Sequence, residues 1–398
     1  MRTMWASLLD LRLRQIIARG MLSLVLPDGT TRDYGVGPPH FTARLTDPSL
    51  PRRLVLNPEL ALGEAYMDGT LLIDGDDLFG FMAFLFGNVP THRTLVWHRP
   101  DLIMQHALRA IQQFNPMSRS RKNVAHHYDL SGDLYRQFLD ADRQYSCGYF
   151  RHPSDTLEQA QAQKKSHIAA KLLLKPDLRV LDIGCGWGGL ALTLAREHGV
   201  SVLGITLSEE QHAYATKRAR REGLDDRVSF RLADYREIRG RFDRVVSVGM
   251  FEHVGVPQYR AFFHQVHERL TEDGVALVHT IGRSEPPSST GPWIRKYIFP
   301  GGYVPSLSEM TNAVERENLW LADIEVWRLH YAETLRHWRM RFEAHEDAVK
   351  ALYDTRFCRM WRFYLVASEL SFRHGRPVVV QGQLAGPRAA GPRTPSLL

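Results

Sequence analysis

The run VLDIGCGWGG at 180–189 places an acid, Asp182, two residues ahead of a cluster of glycines. Glycines of this kind tolerate positive φ and let a ligand approach the backbone where the first N–H groups of a helix point outward. Gly184, Gly186 and Gly189 satisfy G-x-G-x-x-G, a spacing that alone fits several nucleoside-containing cofactors. No acid follows the second β-like run, where a dinucleotide enzyme grips its ribose; that stretch reads Gly204-Ile205-Thr206-Leu207-Ser208. Asp234-Tyr235 follows a third run, at the sheet edge where α/β folds bind ligands, although Asp234 also suits a helix cap. Glu252 and His279 come just past the fourth and fifth runs, at the same edge. Taken singly, each also has a structural explanation: a helix N-terminal acid for Glu252, a core imidazole for His279, a small buried hydrophobe for Cys147.

The elements that must position these groups alternate along the chain. From Val180 the runs RVLDIG, VSVLGITL, VSFRLAD, FDRVVSVGM and VALVHTIG are separated by helical patterns such as EEQHAYATKRARREG. That alternation predicts βαβ units and a doubly wound, Rossmann-like α/β domain. Residues 1–115 read as a smaller α+β domain, with β-like runs at 21–27 and 52–56 and a turn at Pro27-Asp28-Gly29. Residues 116–382 read as the catalytic domain. Residues 383–398, rich in Pro, Gly and Ala, are expected to be disordered.

With 398 residues, 44% hydrophobic and 24% charged, the chain can build sizeable cores and does not read as a disordered protein. The formal charge of +7 suits an anionic partner. Its basic groups form short clusters, Arg119/Arg121/Lys122 and Lys217/Arg218/Arg220/Arg221, without an aromatic RNA-binding signature, so nucleic acid is not expected. Three isolated cysteines suggest neither a disulfide framework nor a metal site, and suit a reducing cytosol. The least charged stretch, 78–92, is shorter than the ~20 residues that span a bilayer.

Several stretches together carry a family resemblance: HHYDLSGDLYRQFLD at 126–140, QYSCGYF at 144–150, LDIGCGWGG at 181–189, GITLSEEQ at 204–211, GMFEHVG at 249–255, YIFPGGYVPS at 297–306 and HYAETLRHW at 330–338. In this order they resemble the cyclopropane-fatty-acyl-phospholipid synthases, class I S-adenosylmethionine-dependent methyltransferases related to the mycolic acid cyclopropane synthases. GEAYMDGTLLIDGDDL at 63–78 resembles that family's N-terminal domain, with a lipid-handling role implied. The resemblance implies transfer of a methylene from S-adenosylmethionine to the cis double bond of phospholipid acyl chains. It assigns cofactor binding to Tyr145, Ser146, Asp182, Gly184, Gly186, Gly188, Thr206, Leu207, Gln211, Asp234 and Tyr235. It assigns Cys147, Glu252, His279, Ile281 and Tyr331 to a cage for bound bicarbonate, the base that closes the ring, with Cys147 and Ile281 contributing backbone groups. A homodimer in the cytoplasm, peripherally attached to the inner face of the membrane, is also implied.

An alkene attacking a sulfonium leaves a carbocation, which needs a dry, aromatic-lined site. Tyr297, Phe299, Tyr303, Phe150 and Tyr331 are candidates for that lining, against ordinary core packing for each. Cys358, in RFCRMWRFYL with no base at helical spacing, reads as structural. Competing readings are an enzyme that finishes with a methylene or methyl branch, a methyltransferase for a small amine, a lipid-binding module with a degenerate cofactor fold, and an NAD dehydrogenase.

Overall fold

The computed structural model describes residues 2–88 and 131–386, so the expected boundary at 115 and the Arg119/Arg121/Lys122 cluster lie outside the described residues. The chain forms two compact units, and neither is contiguous in sequence.

The first unit combines Met1–Met104, Thr290–Ile298 and Leu335–Gly375. Its four-stranded sheet has the order β2-β1-β3-β4, with β1 Gly20–Val25, β2 Thr31–Val36, β3 His40–Leu45 and β4 Leu71–Ile73. β1 and β2 form a hairpin around the turn expected at Pro27-Asp28-Gly29: Leu26 N–H donates to Thr30 O, and Gly29 takes φ +85°. The run at 52–56, expected as a strand, lies instead in the helix Leu50–Leu56. Pro51 in its first turn presets helical φ, and so short an apolar run carries no decisive period.

The helix Thr355–His374 belongs to this unit although it comes near the end of the chain. Asp354 caps it by accepting from Phe357 N–H, and its face buries Trp361, Phe363, Leu365 and Leu370. Phe363 packs on Tyr66 and on Trp293, with ring centroids 6.1 and 4.7 Å away. Gly63 makes room for that indole, since a Cβ there would lie 2.3 Å from Trp293 Nε1. Cys358 is buried in this helix, as a structural thiol would be.

The second unit holds a seven-stranded sheet of order β10-β11-β9-β8-β5-β6-β7. Its strands are β5 Arg179–Ile183, β6 Ser201–Thr206, β7 Val228–Leu232, β8 Phe242–Val248, β9 Leu270–Arg283, β10 Trp320–Trp327 and β11 Pro377–Ala385. β5 to β9 run parallel, while β11 lies antiparallel between β9 and β10. This is the doubly wound sheet that the alternating pattern predicts. β5 sits between β6 and β8, where the direction of winding reverses and such sheets open a crevice at their carboxyl ends. Apolar clusters cover both faces, one around Phe251, Phe262 and Val380, the other around Val180, Leu192 and Val246.

The C-terminal tail begins later than expected. Residues 383–385 are the last rungs of β11, paired with Leu277, Ala276 and Val275 of β9 and buried, so the Pro/Gly-rich composition beyond them does not mark the strand's end. No helix among the described residues is long and apolar enough to cross a membrane.

Candidate active site

A cleft of about 1180 Å³, counted out to its mouth, opens in the second unit beyond the carboxyl ends of β5, β6, β7 and β8. Tyr145, Ser146, Asp182, Gly184, Gly186, Thr206, Leu207, Gln211, Asp234 and Tyr235 all line it. The eleventh residue expected there, Gly188, does not. A Cβ at Gly188 would meet Phe230 at 2.7 Å and Ala215 at 3.0 Å, so its glycine serves helix-to-strand packing at the start of the helix Gly189–His198.

The glycine loop has the backbone its sequence calls for. Gly184, Gly186 and Gly188 take φ of +85°, +53° and +82°, a region costly for other residues. A Cβ on Gly186 would meet nothing within 4 Å. As Gly186 lines the cleft, ligand is free to approach its backbone. Asp182, the penultimate residue of β5, is 1% exposed and its Oδ2 has no hydrogen-bond partner. Burial pushes its carboxyl up to about 7.

Beyond β6, Thr206 Oγ1 donates to Gln211 Oε1 at 2.9 Å, and Ser208 caps the helix Glu209–Arg221 by accepting from Gln211 N–H. With its carbonyl thus engaged, Gln211 keeps its amide N–H groups for a ligand's hydroxyl oxygens. Asp234 fills both roles weighed for it: it lines the cleft, and it caps the short turn Tyr235–Glu237. Its two carboxylate oxygens are also gripped by Arg236, at 2.8 and 2.7 Å. The Lys217/Arg218/Arg220/Arg221 cluster ends the helix Glu209–Arg221, where Arg218 bonds Asp142 and Glu222, the solvated helix-end explanation in part.

None of the five residues expected to hold the base lines this cleft. Glu252 lies in the short turn Phe251–His253 after β8. His279 is not past its strand but inside it, because β9 runs on to Arg283 under cover of β11. Glu252 Oε1 accepts the Ile281 N–H at 2.6 Å, while Oε2 is buried without a partner. Of the backbone groups expected from Ile281, the N–H is therefore already given to Glu252. Residues 279 and 281 share one face of β9 by the strand's period of two. Burial pushes Glu252 up to about 7 and His279 down to about 3.

Cys147 is buried 1% exposed, and its Sγ–H donates to Gly148 O at 3.3 Å; burial raises the thiol far above its ordinary range. Gly148 N–H in turn donates to Thr334 Oγ1, one helical turn beyond buried Tyr331. Trp327 packs edge-on to His279 at 5.1 Å and against Tyr149 at 4.7 Å.

The aromatic candidates separate. Phe299 packs edge-on to His253, a cleft-lining imidazole that burial pushes down to about 4. Tyr297 donates to Glu64 and Tyr303 to Glu309, and Tyr303 belongs to the apolar core. Sequence reasoning missed Arg143, Lys164, Trp187 and Arg236 on the cleft wall. The signal for Lys164 was available, since it shares the buried stripe of the helix Leu157–Lys171 with Leu157, Ala160 and Ile168.

The profile of the mycolic acid cyclopropane synthetase family matches residues 116–382, and that of a domain family of unknown function matches residues 13–84. The cyclopropane-fatty-acyl-phospholipid synthase of Escherichia coli K12 is 40% identical over 332 residues, 83% of this chain and 84% of its own. The tuberculostearic acid methyltransferase UfaA1 of Mycobacterium tuberculosis is 34% identical over 95% of this chain and 91% of its own. The solved structure of the mycolic acid cyclopropane synthase CmaA1, complexed with SAH and CTAB, superposes with a TM-score of 0.64 at 31% identity, over 69% of this chain and 99% of its own. The chain belongs to the mycolic acid cyclopropane synthetase family and is an S-adenosylmethionine-dependent methyltransferase of the cyclopropane synthase type.

Proposed function

We propose that the chain converts cis double bonds in phospholipid acyl chains into cyclopropane rings, with bound bicarbonate as the base. S-adenosylmethionine supplies the electrophilic methyl: the alkene π pair forms the new C–C bond as the S–C pair returns to sulfur. The neighbouring acyl carbon becomes cationic. Loss of a proton from the new methyl frees the C–H pair to close the ring.

The observation that carries this reading is the pairing of Glu252 with β9. One carboxylate oxygen is spent on Ile281 N–H and the other is buried without a partner, and Ile281 shares a face of β9 with a neutral His279. A carboxyl held at about 7 can share a proton with an oxyanion instead of repelling it, and a neutral imidazole with one N–H can donate to the same ion. Cys147 and Tyr331 complete the cage by resemblance. Phe299, Phe150 and Tyr331 are the candidates assigned to face the cation, while Tyr297 and Tyr303 have their hydroxyls bonded to Glu64 and Glu309.

The cofactor reading rests on Asp182 for the methionine end, Gln211 and Thr206 for the ribose, and Asp234 and Tyr235 beside the adenine. Tyr145 and Ser146 line the same wall. The first unit is assigned to lipid handling at the inner face of the membrane, and the working form to a homodimer. The similarity to a tuberculostearic acid methyltransferase supports a second reading, in which the same cation ends as a methyl or methylene branch. Expression in a host lacking such an enzyme decides between them: cyclopropyl protons in the NMR spectrum of its phospholipids support ring closure, and a branched chain without them supports the alternative.

A further inference from the structure

Lys164 is 0% exposed, buried on the inner face of the helix Leu157–Lys171, and it reaches the wall of the cleft. Its Nζ donates to Gln144 Oε1 at 2.7 Å and to Ser146 Oγ at 2.8 Å. Both acceptors are neutral, and among the described residues Lys164 forms no salt bridge. An ammonium has three N–H groups, so one remains for a further acceptor. Burial works against its charge, pulling the ammonium down to about 8, while Asp140 and Asp142 favour that charge from beyond salt-bridge distance. A desolvated cation with no carboxylate in direct contact is costly, and an anionic ligand would offset that cost.

Asp182 mirrors it. This carboxyl lines the same cleft, is 1% exposed, and has an oxygen with no donor. Lys164 is the charge that works against burial on Asp182, yet the two do not close into an ion pair. The surroundings hold Lys164 in place. Gln144 N–H donates to Asp140 at 2.7 Å, Gln144 Nε2 to Asp142 at 3.0 Å, and Gln161 Nε2 to Ser146 O at 2.9 Å. A buried cation and a buried acid, each short of a partner and opening on one cleft, match a ligand that carries both charges.

We propose that Lys164 and Asp182 together form the receptor for the zwitterionic amino-acid end of the cofactor, Lys164 taking its carboxylate and Asp182 its ammonium. This rests on the cofactor reading above and extends it, because family resemblance assigns Asp182 to this end and assigns nothing to Lys164. Lys164 is a specificity-determining residue: it selects cofactors that carry the α-carboxylate.

The test uses the full chain and calorimetric titration with three probes: S-adenosylhomocysteine, its decarboxylated analogue, which keeps the amine, and 5′-methylthioadenosine, which lacks both groups. The wild-type protein should bind S-adenosylhomocysteine on the order of 10- to 100-fold more tightly than the decarboxylated analogue, the scale of a charge-assisted hydrogen bond. Lys164→Met should erase that preference while 5′-methylthioadenosine affinity stays within about threefold, which also reports an intact fold. Lys164→Arg, which keeps the charge, should keep the preference and covers the case in which Lys164→Met does not fold. A wild-type protein indifferent to the carboxylate overturns the proposal, as does Lys164→Met losing all three probes equally at an unchanged melting temperature. No binding of S-adenosylhomocysteine by the wild type would instead remove the cofactor reading itself.

Discussion

Gln381 of β11 stands directly opposite His279 of β9, and its amide nitrogen lies 2.9 Å from His279 Nδ1. An amide nitrogen can only donate, so with the amide in this orientation Nδ1 accepts and the ring proton resides on Nε2. Burial keeps the imidazole neutral, which fixes it as a one-proton donor. Gln381→Glu would place a carboxylate acceptor at Nδ1, draw the proton there, and raise the imidazole's pKa. Lipid cyclopropanation should fall on the order of 10- to 100-fold, with a new ionisation in its pH–rate profile and unchanged affinity for S-adenosylhomocysteine. A uniformly lowered profile of unaltered shape would reduce Gln381 to a packing residue.

Glu252→Gln and His279→Ala test the base directly. Both groups are assigned to hold the proton acceptor, which acts after methyl transfer has begun, so turnover should suffer while cofactor binding survives. A loss of ~10²- to 10⁴-fold in cyclopropanation is expected, with S-adenosylhomocysteine affinity within a few-fold by calorimetry. Wild-type activity should also drop in buffer stripped of carbon dioxide and recover when bicarbonate is added. Full activity in either variant together with bicarbonate-independent turnover would leave a side chain such as Tyr331 as the base.

Asp182 links the cofactor site to stability. Its folded pKa is about 7 against an ordinary 3.8, so the unfolded chain releases this proton first as pH rises. The stability it contributes is complete below about pH 4 and is lost as pH climbs through about 7. Asp182→Asn removes that penalty. The variant's melting temperature relative to wild type should therefore rise between pH 5 and pH 8, while its affinity for S-adenosylhomocysteine falls. A difference independent of pH would mean that the carboxyl is not held protonated by burial.

Two glycines of one loop should fail in different ways. Gly186→Val points a side chain into the cleft and should abolish S-adenosylhomocysteine binding, with a modest loss of stability from its positive φ. Gly188→Ala drives a methyl into the Phe230 ring and should lower the melting temperature more than any affinity loss explains. Thermal melts and titrations of the two variants separate these effects; normal binding by Gly186→Val would displace the assigned cofactor site.

The second unit was legible because its strands are apolar runs at regular intervals, and ten of the eleven expected cofactor residues do line the cleft. Gly188 escaped because spacing does not tell a glycine that faces a ligand from one that faces Phe230. His279 was placed past its strand because the chain gives no sign that β11 will return antiparallel beside it and prolong β9. The helix at 50–56 was missed for want of length, and the discontinuous first unit because its closing helix is separated from its N-terminal partners by six of the seven strands of the methyltransferase sheet.

That separation bears on how the protein is made. Trp361, Phe363 and Leu370 fill a core whose other wall, around Tyr66, emerges from the ribosome near the start of synthesis. At roughly 5–20 residues per second, the N-terminal strands and helices wait on the order of ten seconds or more, apolar faces uncovered, before residues 335–375 arrive. The intervening sheet can meanwhile fold through its own local βαβ contacts, except for β11, which is translated last. Nascent chains stalled before residue 355 should thus expose a sticky N-terminal segment that chaperones recognise, and completion of one late helix is what retires it.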